Sequence, residues 1–269
     1  MMSLPRRSLG ATGLEVSVLG LGTVKLGRNT GIKYPAHYDL PTDKQAANLL
    51  AMAREAGINL LDTAPAYGNS EERLGQLLKG QRDDWLLCTK VGEEFDGENS
   101  HFDFSAVHTR QSIERSLRRL GTDHLDLVLV HSSGADVDII ENTGVLDALQ
   151  QCRQAGLIRA FGMSTKTLEG GLLAARETDC VMLTYNPAYR EEEAVIDECR
   201  RLNKGVLLKK VLASGHLWAN PKVKDPLDVS LRFIFAKAGI SSAIIGTITP
   251  RHLADNIART QAILAGTPL

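Results

Sequence analysis

Short, unbroken apolar runs alternate along this chain with longer segments in which apolar residues recur every three or four positions. From Asp43 to Ala56, the residues Ala46, Leu49, Leu50 and Ala53 share one helical face; beyond Gly57 the run Ile58 to Asp62 reads as a strand. Similar compact runs occur at Val18–Gly22, Trp85–Lys90, Leu125–His131, Leu157–Met163, Val181–Tyr185, Gly205–Lys209 and Ser242–Ile245. They lack polar alternation, as parallel strands buried on both faces do. Amphipathic spacing predicts helices over Ser70–Lys79, Ser105–Leu120, Val145–Ala155, Thr167–Glu177, Glu191–Leu202, Pro226–Ala238 and Pro250–Leu264.

About eight strand–helix units in a chain of this length predict a (β/α)8 TIM barrel, which usually takes roughly 250 residues. An open doubly wound sheet is the competing arrangement. Ser8 to Val16, two short extended pieces around a glycine turn, is expected to form a hairpin that closes the barrel floor. No linker interrupts residues 1–269, so a single domain is expected. The stretches Lys25–Pro41, Gly92–Phe104, His131–Thr143 and Leu212–Asp225 read as irregular, and in a barrel they would follow the strand ends that carry active sites.

Composition narrows the function. The 269 residues are 43% hydrophobic and 23% charged, which excludes disorder and a collagen-like fibre. Lys+Arg at 31 against Asp+Glu at 32 gives no overall bias toward nucleic acid or an anionic membrane. Cys88, Cys152, Cys180 and Cys199 are scattered and form no C-x-x-C pair, so they read as buried free thiols in a reducing compartment. No apolar run is long enough to span a membrane, and a soluble cytoplasmic protein is expected. Dispersed histidines and the lack of an H-E-x-x-H give metal catalysis little support. Arg115, Arg118 and Arg119 read as a solvated helix face, and Glu93, Glu94, Asp96 and Glu98 as an acidic loop serving solubility.

The chemistry gathers at strand ends. Asp62 closes the second barrel strand, Tyr67 follows in its loop, Lys90 closes the third and His131 the fourth. Each alone has an ordinary structural explanation: a turn cap, surface packing, a solvated amine, a hydrogen-bonded imidazole. On one rim they complement one another. A buried ammonium needs a counter-ion, which Asp62 supplies. A free tyrosine has a pKa near 10, and a neighbouring ammonium makes it a better proton donor at neutral pH. His131 can hydrogen-bond the same substrate oxygen. The set suits protonation of an oxygen that becomes anionic, as when a carbonyl accepts hydride.

Gly20-Leu-Gly-Thr23, Asp62-Thr-Ala-Pro-Ala-Tyr-Gly68, Ser70-Glu-Glu-Arg-Leu-Gly75, Thr89-Lys90, Ser116-Leu-Arg-Arg-Leu-Gly-Thr-Asp-His-Leu-Asp126 and Val130-His131 together resemble the aldo-keto reductases, from about Ser8 to Ile257. The resemblance implies Tyr67 as general acid/base, Lys90 lowering its pKa, Asp62 holding Lys90, and His131 orienting the carbonyl. It also implies a nicotinamide dinucleotide laid over the rim; no G-x-G-x-x-G points to a Rossmann domain. Gly22, Thr23, Asp62 and Ser164 would lie around the nicotinamide, with Thr165 where the family often has Asn, and Met182 where it often has Gln. Lys209 replaces a stacking aromatic in Leu208-Lys-Lys-Val-Leu-Ala-Ser-Gly215, whose Leu212, Ser214 and Gly215 are further contact candidates.

At the adenosine end, Ile245-Gly-Thr-Ile-Thr-Pro-Arg-His-Leu-Ala-Asp-Asn256 resembles the family's phosphate loop and helix, with Gly246, Thr247, Arg251, His252 and Asn256 as contacts. Many relatives have Lys at the Gly246 position and Arg at the His252 position, so the basic grip on a 2′-phosphate is reduced; NADP(H) is favoured and NAD(H) is the alternative. The expected activity is reversible reduction of aldehydes or ketones. A non-catalytic dinucleotide-sensing protein of the same fold, and a barrel lyase or isomerase that binds no nicotinamide, are the competing readings. Tyr34 and Trp218, in long rim loops, are candidates for the substrate pocket or for packing.

Overall fold

The computed structural model describes residues 3–32, 37–213, 215 and 224–266. An antiparallel hairpin of β1 (Arg6–Ser8) and β2 (Glu15–Ser17) leads into β3 (Leu19–Gly22), α1 (Val24–Gly27), α2 (Asp43–Glu55), β4 (Leu60–Asp62) and α3 (Ser70–Leu77). Then come β5 (Leu86–Val91), a second hairpin of β6 (Glu93–Phe95) and β7 (Ser100–Phe102), α4 (Ala106–Leu120), β8 (Leu125–His131), α5 (Asp136–Asn142) and α6 (Val145–Gln154). The last third holds β9 (Ile158–Ser164), α7 (Leu168–Glu177), β10 (Cys180–Thr184), α8 (Glu193–Arg201), β11 (Gly205–Lys209), α9 (Pro226–Ala236), β12 (Ser242–Ile245) and α10 (Pro250–Leu264).

Strands β3, β4, β5, β8, β9, β10, β11 and β12 form a closed parallel barrel. Closure is made by β12 on β3, with Ala243 opposite Leu19 and Ile245 opposite Leu21. That pairing eliminates the open doubly wound sheet, whose edge strands do not meet.

Successive strand residues face opposite sides of the sheet. One set, including Leu61, Leu87, Val128, Val130, Val181, Leu183, Val206 and Leu208, packs in the larger core with the helices. The other, Leu60, Cys88, Leu127, Leu129, Ala160, Cys180, Met182, Leu207 and Ile244, fills the barrel interior. Leu9, Leu14 and Val16 of the N-terminal hairpin segment join this inner cluster and seal the floor. All four cysteines are buried and free.

The boundaries follow local chemistry. Thr42 and Gln45 form a reciprocal capping box at α2, Ser105 accepts from the His108 amide at α4, and left-handed Gly121 ends that helix. Three elements lie in stretches that read as irregular. Helices α1 and α5 are 4 and 7 residues long, too short to display a helical period. The β6–β7 hairpin is strongly polar, so no apolar alternation announces it.

Candidate active site

The inward alternation that fills the barrel also builds its mouth. Continuing two residues beyond an inward apolar side chain reaches Asp62 from Leu60, Lys90 from Cys88, His131 from Leu129, and Lys209 from Leu207. Ser164 stands in the same phase on β9, opposite both His131 and Met182 in register. Strand geometry therefore collects polar groups that are scattered in sequence.

Lys90 is 1% exposed. Its Nζ donates to Asp62 Oδ1 at 2.6 Å and to the Thr63 carbonyl at 2.8 Å, and lies 4.8 Å from the centre of the half-buried Tyr67 ring. Burial alone would discharge the amine, but the Asp62 charge, reinforced by Tyr67 and by the Asp62 hydrogen bond, holds it above the ordinary lysine range. Lys90 is thus a permanent cation beside a phenol.

The loop bearing Tyr67 is fixed by close backbone packing. Gly68 has φ +61°, and a methyl group there would meet the Gly27 carbonyl oxygen at 2.1 Å; one on Gly27 would meet the Tyr67 carbonyl oxygen at 2.4 Å. Ser70 hydroxyl donates to Thr23 Oγ1 at 2.8 Å, while Thr23 donates through its own amide and hydroxyl to the Asp62 carbonyl. Thr23 is wholly buried, so its hydroxyl braces the site from behind. Buried Glu71 accepts from Thr89 at 2.6 Å and pairs with Arg119, joining α3, β5 and α4. Burial raises its carboxyl above the usual range.

His131 meets Tyr67 edge to face, with ring centres 6.2 Å apart. Its Nδ1 lies 2.9 Å from Glu93 Oε2, an ion-pair distance with the oxygen off the N–H axis. Burial lowers the imidazole below the ordinary histidine range and Lys90 and Lys209 add to this, while Glu93 opposes it. Glu93 itself is held down at about 2: its burial is outweighed by His131, Ser100 and the Arg28 charge. The adjacent Glu94 points the other way and pairs with Arg115 and His108 of α4. Two of the loop's four acidic residues are therefore not solubility features: on a two-faced strand, Glu93 serves the mouth and Glu94 clamps the hairpin outside, while Asp96 and Glu98 are exposed. Arg119 likewise pairs with Glu71 and Glu72, and only part of the arginine cluster is a solvated face.

The far side of the mouth is less constrained. Lys209 donates to Ser164 Oγ at 2.9 Å and to the Thr165 carbonyl at 2.6 Å. Thr165 hydroxyl in turn donates to buried Glu192 at 3.2 Å. Burial pulls the Lys209 amine below the ordinary lysine range, with Glu192 opposing. Gly22 adjoins Gly246: a methyl group on Gly22 would be 3.9 Å from the Gly246 Cα. Leu212 is half-buried against the core and Gly215 has φ +92°; Ser214, Trp218 and Tyr34 lie outside the described residues.

Helix α10 begins with Thr249 and Pro250, has no acidic residue in its first turn, and Thr249 makes no side-chain cap. Its first turn therefore leaves amide donors for an anion, flanked by exposed Arg251 and His252. Thr247 Oγ1 accepts from the Thr249 amide, which shapes the preceding loop. Buried Asn256 Oδ1 has no hydrogen-bond partner among the described residues, although its amide nitrogen donates to the His252 carbonyl. An orphaned acceptor beside an uncapped helix start fits a dinucleotide carrying phosphates and an amino-purine.

The Aldo/keto reductase family profile matches residues 18–221. Over 96% of its length the chain is 30% identical to L-galactose dehydrogenase of Arabidopsis thaliana, spanning 88% of that protein. It is 35% identical over 165 residues to the oxidoreductase YqkF of Bacillus subtilis, which takes in 60% of this chain and 48% of that one. Among solved structures, a Pseudomonas aeruginosa protein assigned to the aldo-keto reductases shares 53% identity and superposes with a TM-score of 0.88, covering 96% of each chain. The chain belongs to the aldo-keto reductase family, and its activity is NAD(P)-dependent reduction of carbonyl groups to alcohols. No helix among the described residues is long and apolar enough to cross a membrane.

Proposed function

We propose that Tyr67 is the general acid of carbonyl reduction and the general base of the reverse reaction. The observation that carries this reading is the wholly buried Lys90 cation, anchored by Asp62 and set against the Tyr67 ring. A bound nicotinamide dinucleotide supplies the hydride. Tyr67 gives its hydroxyl proton to the carbonyl oxygen as that oxygen gains charge. The Lys90 ammonium stabilises the phenolate left behind, and Asp62 keeps the ammonium charged in a site that would otherwise expel it. His131 hydrogen-bonds the same oxygen and fixes the carbonyl's direction.

Gly22 and Gly246 leave room for the dinucleotide, Ser164 with Lys209 meets the nicotinamide amide, and Thr165 supports them. Leu212, Ser214 and Gly215 would cover it, Thr247, Arg251, His252 and the α10 amides would hold phosphates, and Asn256 would receive the adenine amine. Family membership favours NADP(H) over NAD(H), with Arg251 and His252 as the basic groups left near a 2′-phosphate. Tighter binding of NADH than NADPH at equal salt would overturn that preference. Two relatives are named as an L-galactose and a D-threo-aldose dehydrogenase, so sugars join aldehydes and ketones as substrates to try. The four buried thiols support a reducing, cytoplasmic setting for this single-domain enzyme.

The decisive experiment is Tyr67→Phe. Turnover is expected to fall by about 10²–10⁴-fold, with dinucleotide affinity, read by fluorescence quenching, nearly unchanged. Full turnover in this variant would remove Tyr67 from the mechanism.

A further inference from the structure

Among the described residues, Glu93 is the one carboxylate within 4 Å of His131; its Oε2 lies 2.9 Å from Nδ1, off the N–H axis, so it acts on that nitrogen through its charge. A neutral imidazole carries one N–H, and the nitrogen that keeps it is set by the partner of the other. A carboxylate is only an acceptor when ionised, and Glu93 is ionised across the ordinary pH range because His131, Ser100 and Arg28 surround it. We infer that Glu93 fixes His131 in its Nδ1–H form, so that His131 offers a donor to a carbonyl oxygen only when the ring carries its second proton. The inference rests on the reading that His131 meets the substrate oxygen.

The consequence is directional. With Nδ1–H turned to Glu93, the neutral ring presents a lone pair at Nε2. That lone pair repels a carbonyl oxygen and accepts from an alcohol hydroxyl. The imidazolium presents Nε2–H and binds the carbonyl oxygen through a charge-assisted hydrogen bond. Glu93 is therefore a positioning residue that makes carbonyl reduction sensitive to the protonation of His131. The other groups facing the ring are Lys90 on β5, Tyr67 in the β4–α3 loop and Lys209 on β11, with Arg28 acting on Glu93. Of these, the charged Lys90, Lys209 and Arg28 have only donors.

The test is Glu93→Gln, whose amide turns either an acceptor or a donor toward Nδ1 and so frees the ring to place its proton on Nε2. Imidazole ¹⁵N NMR of the cofactor-free protein above the His131 titration should show Nδ1–H in the native chain and a shift toward Nε2–H in the variant. In parallel, kcat/KM for carbonyl reduction in the native enzyme should fall about tenfold per pH unit above that titration. In Glu93→Gln this fall should vanish, leaving the one belonging to Tyr67. Glu93→Asp, which keeps the charge, should restore the native tautomer at least in part. Nε2–H in the native chain, or an identical tautomer and pH profile in Glu93→Gln, overturns the inference. His131→Ala separates the two claims: if kcat/KM and its pH profile are unchanged, the reading that His131 meets the substrate oxygen falls; if they change while Glu93→Gln alters neither readout, only the role of Glu93 falls.

Discussion

The two sides of the barrel mouth treat charge differently. At β4, β5 and β8 the basic groups already have carboxylates: Lys90 has Asp62 at 2.6 Å and His131 has Glu93 at 2.9 Å. Toward β9, β11 and β12, Lys209 has no carboxylate within 4 Å among the described residues, Asn256 retains an unused acceptor, and the α10 amides are uncapped by any side chain. The first side is organised before substrate arrives, as proton transfer requires. The second holds donors and an amine with no carboxylate close by, in readiness for a polyanion. Electrostatic work on one side is finished at folding; on the other it is completed by the ligand.

That contrast can be broken most forcefully at Lys90. Lys90→Met strands Asp62 as an uncompensated buried charge, and is expected to cost about 3–5 kcal/mol in urea unfolding along with most of the turnover. Survival of native stability would mean that Asp62 is readily neutralised and that the pair is not the frame of the site. Gly68→Ala comes next: its left-handed φ and the 2.1 Å approach to Gly27 should cost about 1–3 kcal/mol and displace Tyr67, so turnover should fall more than dinucleotide affinity.

Acid unfolding sharpens the comparison further. Glu93 is held at about 2 against an ordinary 4.5, so its stabilisation is complete above pH 4.5 and is lost as pH falls toward 2. In that window the unfolded chain binds the extra proton. The Glu93→Gln protein should therefore lose up to about 1.4 kcal/mol less stability per pH unit than the native one; equal slopes would show that the carboxylate is not held down by its neighbours. The smallest stability effect is expected for Lys209→Met, within about 1 kcal/mol because no close ion pair is broken. Its mark should instead be weaker dinucleotide binding in a fluorescence titration, and unchanged affinity would remove Lys209 from the cofactor side.

The barrel was legible in sequence because each strand is a compact apolar run and each long helix repeats its apolar face over several turns. Asp62, Lys90 and His131 were legible because a charged or polar residue at the end of such a run has few reasons to be there. Glu93 was not, since it sits in a run with Glu94, Asp96 and Glu98 whose composition reads as solvated. Only the short β6 strand, whose alternation sends Glu93 inward and Glu94 to α4, distinguishes them. The signal available was the glycine turn at Gly97 between Glu93–Phe95 and Ser100–Phe102, weak because neither three-residue piece alternates clearly. Thr23 shows the opposite case: its motif was legible, while its burial and its bonds to Asp62 reveal a bracing function.

Which chemistry reaches the mouth is finally a matter of parity. Leu60 and Asp62, Cys88 and Lys90, Leu127, Leu129 and His131, and Leu207 and Lys209 are each steps of two along one strand. Inserting or deleting one residue within any of these strands would turn its terminal group into the helix layer and bring an aliphatic side chain to the rim. Strand length is therefore closed to gradual variation in this enzyme, and new specificities must be written by exchanging the final inward residue or by rebuilding the loops that follow it.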